Sequence, residues 1–225
     1  MSAANLRLCL DTADTVQWEK WASTGLFYGV TTNPLLLERS QVPCTLESLT
    51  QLAQKALHLG MQEVQLQTWG DTVETMVNTG KALAAIAPEV VVKVPITQAG
   101  TEAAAGLIKA GVRVTLTGVY AVHQVLIAAS LGAEYTAPYL GRINDLGRNG
   151  REDLAQMQRV LNGVKSSTRI LAASIRSVED LSDLAAAGLN TFTVSDAIAT
   201  QLFDVPATTA AAADFERAAQ AMSGQ

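Results

Sequence analysis

Short apolar runs recur along the chain, with longer amphipathic stretches between them. The runs are Leu6–Thr12, Gly29–Asn33, Glu63–Gln67, Val90–Ile96, Val112–Gly118, Glu134–Leu140, Arg169–Ile175 and Thr191–Ala197. Most are of strand length and rich in Val, Ile, Thr or Leu, residues that suit a pleated surface. Segments such as Leu49–Leu59, Thr75–Ile86 and Thr101–Lys109 carry Ala, Leu and Lys at helical spacing, which predicts helices between the strands. Gly60, Gly111, Gly132 and Gly188 fall where a helix should end and a strand begin, a place that favours a left-handed residue.

A strand that reads as nearly continuous apolar sequence, as Val90–Val94 does, is buried on both faces, the mark of a parallel sheet. Eight strand–helix units in sequence predict a closed (β/α)8 TIM barrel, a single domain over residues 1–225. An additional Ala-rich C-terminal helix, about 207–222, follows the eighth unit and is placed to pack on a neighbouring subunit. An open doubly wound sheet would also fit the alternation. It would call for a Gly-rich phosphate loop after the first strand, where Asp11-Thr12-Ala13-Asp14 stands instead.

Composition narrows the function classes. The chain has 225 residues, 48% of them apolar, which excludes a disordered protein. The formal charge is −5 and no basic block is present, so a nucleic acid or an anionic membrane is not the expected partner. A few arginines could still hold one small phosphorylated ligand. Cys9 and Cys44 lack paired spacing and read as reduced thiols of an intracellular protein. With neither a signal-peptide pattern nor an apolar run of spanning length, a cytoplasmic location is expected.

In a barrel, catalytic side chains gather at the C-terminal ends of the strands. The polar residues there are Asp11, Thr31, Asn33, Gln67, Lys93, Thr115, Thr117, Tyr139, Arg142, Ser174, Arg176 and Ser195. Lys93 carries the sharpest signal, because three valines precede it and Val94-Pro95-Ile96 follow. Burial disfavours the ammonium and frees an amine to attack a carbonyl; snorkelling from the barrel mouth or pairing with a carboxylate is the structural alternative. Asp11 either caps the next helix, a task Thr12 or Asp14 would serve equally well, or moves protons near the lysine. Asn33 before Pro34 fits a helix cap and a ligand about equally. Tyr139 is either rim packing or a proton donor and acceptor. Arg142, in a loop after Gly141, and Arg176, alternating with Ser174 at the end of the seventh strand, offer bidentate groups where such barrels often bind phosphate. His58 and His123 fall in helical stretches without ligand spacing, so a metal centre is not expected.

Taken together, these blocks resemble the transaldolase and fructose-6-phosphate aldolase family, in its short single-domain branch, from Leu8 to about Ala218. The matching pieces are Leu10-Asp11-Thr12-Ala13-Asp14, Gly29-Val30-Thr31-Thr32-Asn33-Pro34, Val92-Lys93-Val94-Pro95-Ile96-Thr97, Ala133 through Arg142, and Ala172-Ala173-Ser174-Ile175-Arg176. The resemblance implies a class I mechanism with no metal and no cofactor. Lys93 would form the imine, Asp11 would serve as acid and base, and Asn33 would hold the donor hydroxyl. Thr117 would line the pocket beside Thr31, and Arg142, Ser174 and Arg176 would bind the acceptor phosphate. It further implies sugar phosphates and dihydroxyacetone as ligands, and a ring-like homo-oligomer, a pentamer or a decamer.

Two activities share this family. Its transaldolases usually carry Glu at the position of Gln67, Phe at that of Tyr139 and Ser at that of Ala137. The aldolases carry Gln, Tyr and Ala, the set present here. Leu140-Gly141-Arg142 with Asp145, and Ser174-Ile175-Arg176, look more like the short transaldolases. The three proton-transfer positions favour an aldolase that cleaves fructose 6-phosphate reversibly, with transaldolase, of the pentose phosphate pathway, as the alternative. A non-catalytic sugar-phosphate sensor and a sugar-phosphate isomerase are the remaining competitors; the isomerase would want a Glu base at a strand end.

Overall fold

The computed structural model describes residues 6–223, so the expected span 1–225 reaches beyond the described residues at both ends. Eight parallel strands close on themselves in sequence order, with β8 pairing back to β1. They are β1 Arg7–Asp11, β2 Gly29–Thr31, β3 Glu63–Gln67, β4 Val90–Pro95, β5 Val114–Val119, β6 Tyr135–Pro138, β7 Arg169–Ala172 and β8 Thr191–Val194. Each expected strand is present: β3 keeps its expected bounds, β5 begins two residues later and ends one later, and the others are shorter by one to three residues at an end. The fold is the (β/α)8 barrel with an extra C-terminal helix.

The helices start and stop where side chains satisfy backbone groups that a helix leaves unpaired. Asp14 caps α1 (Thr15–Ala22), Asn33 caps α2 (Pro34–Arg39) and Thr45 caps α3 (Leu46–His58). Thr72 and Thr75 cap α4 (Val73–Ala84) reciprocally, and Thr97 caps α5 (Gln98–Lys109). α6 (Gln124–Leu131), α7 (Leu140–Asp145), α8 (Gly150–Gly163), α9 (Val178–Ala186), α10 (Asp196–Gln201) and α11 (Pro206–Ser223) complete the chain. The four glycines expected at helix ends have φ of 87°, 81°, 70° and 96° at Gly60, Gly111, Gly132 and Gly188. At Gly132 this left-handed residue is itself the cap of α6. His123 sits just before α6 rather than within a helix, whereas His58 ends α3.

Alternation along each strand sorts the side chains into two cores. Leu10, Val30, Leu66, Val92, Val94 and Leu116 point outward into the main core beneath the helices. A much smaller cluster of Val91, Tyr135, Ala137 and Leu171 fills the barrel itself. The rest of the interior is polar. Thr115 Oγ1 donates to Gln65 Oε1 at 2.8 Å, and Gln65 Nε2 donates to Glu63 Oε1 at 2.9 Å.

That ladder descends to a charged floor at the N-terminal ends of the strands. Glu63, 1% exposed, accepts from Arg113 Nη2 at 2.6 Å and from the Tyr135 hydroxyl at 2.9 Å. Arg113 also grips Glu134 with two bonds of 2.6 and 2.7 Å, and Arg7 donates to the Tyr135 hydroxyl. Arg7 and Arg113 are matched by Glu63 and Glu134, and Arg169, at the same end of β7, donates to Asn190 Oδ1 at 3.0 Å. Burial raises the Tyr135 phenol well above the ordinary tyrosine range, with Glu63 adding to it. Residues at this end of a barrel serve stability, which leaves the opposite end for chemistry.

Candidate active site

Strand register brings the candidate residues into one layer at the C-terminal ends. Asp11 lies beside Thr31, Gln67 beside Lys93, Lys93 beside Thr115, and Thr117 beside Ala137. On β4 the side chains of Val90, Val92 and Val94 join the outer core, so Val91 and Lys93 share the inward face. Lys93 is 3% exposed. Burial lowers its pKa, because a low-dielectric interior disfavours the ammonium; Asp11 and then Cys9 oppose that shift. The result is an amine available in neutral form at lower pH than an exposed lysine would allow.

Asp11 is kept for this site by a division of labour. Asp14, not Asp11, caps α1, accepting from Val16 N at 2.9 Å. Thr31 Oγ1 donates to Asp11 Oδ1 at 2.7 Å. Having given its one proton there, Thr31 accepts from Thr193 Oγ1 at 2.6 Å. Two threonines thus hold one carboxylate.

Tyr139 stands across the mouth, its hydroxyl 2.7 Å from Thr117 Oγ1. Tyr120 packs edge-on to its ring at 5.6 Å, and the Arg142 guanidinium lies 5.0 Å from the ring centroid. Burial pushes the Tyr139 phenol up, Thr117 opposes and Asp11 adds, so it stays protonated at neutral pH and able to donate. Arg142 belongs to α7, not to a loop as its Gly141 neighbour suggested. It donates to the Tyr120 hydroxyl at 3.4 Å.

A cavity of about 190 Å³ opens among Asp11, Asn33, Arg39, Tyr139, Arg142 and Ser174, with Leu35, Leu36, Ala173 and Ser195 completing the wall. A second recess of about 190 Å³ shares Asn33, Leu35, Tyr139 and Arg142 and adds Pro34 and Gln67. Asn33 caps α2, its Oδ1 accepting from Leu36 N at 3.1 Å, and the residue also lines the cavity. A larger depression of about 580 Å³ lies around Lys81 and Arg113, but its wall is mostly Ala, Val and Gly and it holds none of these groups. We therefore assign the site by its chemistry, not by size.

Two expectations about the phosphate set change. β7 ends at Ala172, so Ser174 lies beyond the strand, in a left-handed conformation with φ of 57°. Such a conformation in a non-glycine residue costs on the order of 1 kcal/mol and is held by its surroundings. Here the Ser174 carbonyl accepts from Gly141 N at 2.9 Å. A Cβ at Gly141 would stand 2.6 Å from that carbonyl oxygen and 2.4 Å from Arg176 Nε, so only glycine lets α7 come this close to the Ser174 loop. Arg176 does not line the cavity. Its guanidinium is doubly bonded to Asp145 at 2.7 and 2.5 Å, and that bond holds the Asp145 carboxyl below its usual range. The pattern of strand ends included Ser195 without singling it out, and gave no sign of Arg39, which reaches the cavity from a helix.

Among the described residues, no three His, Cys, Asp or Glu side chains cluster so as to hold a metal, and no helix is long and apolar enough to cross a membrane. Cys9 is buried and Cys44 exposed, both free.

Comparison with known proteins identifies the family. The family model described as transaldolase/fructose-6-phosphate aldolase matches residues 8–225. A probable transaldolase of Caulobacter sp. (strain K31) is 36% identical over 203 residues, 90% of this chain and 91% of that protein. One from Exiguobacterium sibiricum is 35% identical over 222 residues, 96% of this chain and the whole of that protein. Among solved structures, a thiamine phosphate pyrophosphorylase from Pyrococcus furiosus superposes with a TM-score of 0.57 at 13% identity. It covers 85% of this chain and 86% of that one, a likeness of fold alone. The chain belongs to the transaldolase/fructose-6-phosphate aldolase family, whose members are enzymes.

Proposed function

We propose that the protein is a class I aldolase that cleaves fructose 6-phosphate reversibly to dihydroxyacetone and glyceraldehyde 3-phosphate. In this reading the neutral Lys93 amine attacks the ketone carbon and water leaves, giving a protonated imine that acts as an electron sink. Asp11 takes the proton of the hydroxyl beyond the bond to be broken. That carbon–carbon bond then breaks to release the aldehyde, and its electron pair moves into an enamine. Tyr139, through a water held by Gln67, protonates the enamine carbon; hydrolysis of the imine returns the amine and frees dihydroxyacetone. Asn33, Thr31 and Thr117 hold the donor carbons, with Arg142 and Ser174 towards the phosphate end.

The observation that carries this choice is the Tyr139 phenol, raised by burial and hydrogen-bonded to Thr117, in a mouth where Asp11 is the one lining carboxylate among the described residues. A protonated phenol that can pass its proton through that water supplies the enamine's next proton, which favours release of a free ketone over transfer to a second sugar. The names of the relatives favour the second reading, a transaldolase that passes the same three-carbon unit to an aldose phosphate. The same proposal includes a cytoplasmic homo-oligomer, a pentamer or decamer. α11 supports association: none of its residues is buried, and Phe215 and Met222 are 74% and 72% exposed.

Product analysis separates the two activities. With fructose 6-phosphate alone, the aldolase reading predicts steady accumulation of free dihydroxyacetone; accumulation that requires added erythrose 4-phosphate makes the protein a transaldolase. Tyr139→Phe removes the donor while keeping the ring, and should lower dihydroxyacetone release by about a hundredfold or more. An unchanged rate would remove Tyr139 from the proton path. Sedimentation velocity should show a species several times the chain mass, and a monomer at micromolar concentration would refute the association.

A further inference from the structure

Tyr139 is held at two points by one short segment. Thr117 Oγ1 lies 2.7 Å from its hydroxyl, and three residues further along Tyr120 packs edge-on to its ring, at 5.6 Å and 85°. The segment reaches both points because β5 is irregular there. Its register on β6 shifts between Thr117 and Val119, and Gly118, between them, has a φ of 76°. Such a bulge re-aims the side chains that follow it, and a residue with a Cβ would be strained at that φ.

The same tyrosine holds Arg142. Arg142 Nη1 donates to the Tyr120 hydroxyl at 3.4 Å, and the guanidinium lies over the Tyr139 ring. That bond leaves the Nε and Nη2 edge of the guanidinium for a ligand. Tyr120 is itself fixed through its backbone. Gln124 Oε1 accepts from Tyr120 N at 2.8 Å and from Ala121 N at 3.0 Å, and the Tyr120 carbonyl accepts from Arg148 Nη1 at 2.6 Å. Arg148 is in turn paired with Asp153 at 2.7 Å. A half-buried ring on a pinned turn thus lines neither recess of the mouth, yet it touches Tyr139 and Arg142, which line both.

Resting on the aldolase reading above, we propose that Tyr120 is a positioning residue with two separable parts. Its ring holds the Tyr139 phenol at the place of proton transfer, and its hydroxyl holds Arg142 towards the substrate's phosphate. The ring limits rotation of Tyr139, so the phenol stays on Thr117 in one geometry. The hydroxyl removes rotamer freedom from a long side chain before the ligand arrives, a cost otherwise met on binding.

Two substitutions separate the parts. Tyr120→Phe keeps the ring and removes the hydroxyl. With dihydroxyacetone as donor, it should raise the KM for glyceraldehyde 3-phosphate by about threefold or more, as loss of one hydrogen bond would, with kcat changing less than about twofold. The rise should be smaller with unphosphorylated glyceraldehyde, which gives Arg142 no anion to hold. Tyr120→Leu removes both parts and should add a fall of about tenfold or more in kcat for dihydroxyacetone release from fructose 6-phosphate. In a Tyr139→Phe background the same change should cost kcat less than about twofold, because the hydroxyl that the ring positions is gone. A plain packing defect would cost the same in both backgrounds.

Equal KM for glyceraldehyde 3-phosphate in wild type and Tyr120→Phe, or an equal rise with both aldehydes, would overturn the role of the hydroxyl. The same kcat loss from Tyr120→Leu in both backgrounds would overturn that of the ring. Calorimetry with inorganic phosphate reads the hydroxyl part without turnover: wild type should bind more tightly than Tyr120→Phe, and equal affinity overturns it. The two levels of failure stay apart. Unchanged dihydroxyacetone release in Tyr139→Phe alone refutes the proton path of the aldolase reading and the ring part with it. A large loss in Tyr139→Phe with none in Tyr120→Leu refutes only the role of the Tyr120 ring.

Discussion

The amine of Lys93 inside the barrel is the constraint around which the rest is arranged. An ammonium taken out of water either finds a compensating charge or loses its proton. Here burial dominates and Asp11 compensates only in part. A stronger or closer ring of carboxylates would hold the lysine as a structural cation. A single carboxylate, itself engaged by Thr31 and backed by Thr193, offsets the lowering of the lysine pKa only in part.

Two ends of one barrel solve opposite problems. At the floor, Glu63, Glu134, Arg7 and Arg113 pair with one another and the Tyr135 hydroxyl joins them. At the mouth, groups are left incompletely satisfied: an amine without a full counter-ion, a phenol held by one threonine, and Arg39 and Arg142 without a carboxylate partner among the described residues. Between them the ladder of Gln65 and Thr115 and the small cluster of Val91, Ala137 and Leu171 keep water from joining the ends. Stability and reactivity are thereby separated along the barrel axis.

Much of this was readable from the chain because period-two alternation and strand ends are local patterns. The eight runs, the helix-ending glycines and the polar residues at strand ends all follow from spacing along a few residues. Lys93 stood out for the same reason, although its valine neighbours turn outward and only Val91 shares its face. What spacing did not reveal depends on contacts far apart in sequence. Arg176 looked free until Asp145, at the end of α7, bonded its guanidinium twice. Ser174 looked like a strand residue, yet the chain turns left-handed there because Gly141 comes close enough to bond its carbonyl. Arg39 sits on a helix, and only the direction of α2 brings it to the mouth. The family resemblance supplied roles for strand-end residues, and for the same reason carried no role for that helix position.

Titration of the Lys93 side chain by heteronuclear NMR, with Lys93→Met to assign the signal, tests the central claim most directly. The account predicts a midpoint clearly below the ordinary lysine value of about 10.4, because burial acts against the ammonium more than Asp11 supports it. It also fixes a sign for Asp11→Asn: removing the carboxylate should lower the midpoint further. A Lys93 that titrates at or above the ordinary value would show the ammonium to be the stable form and contradict the account.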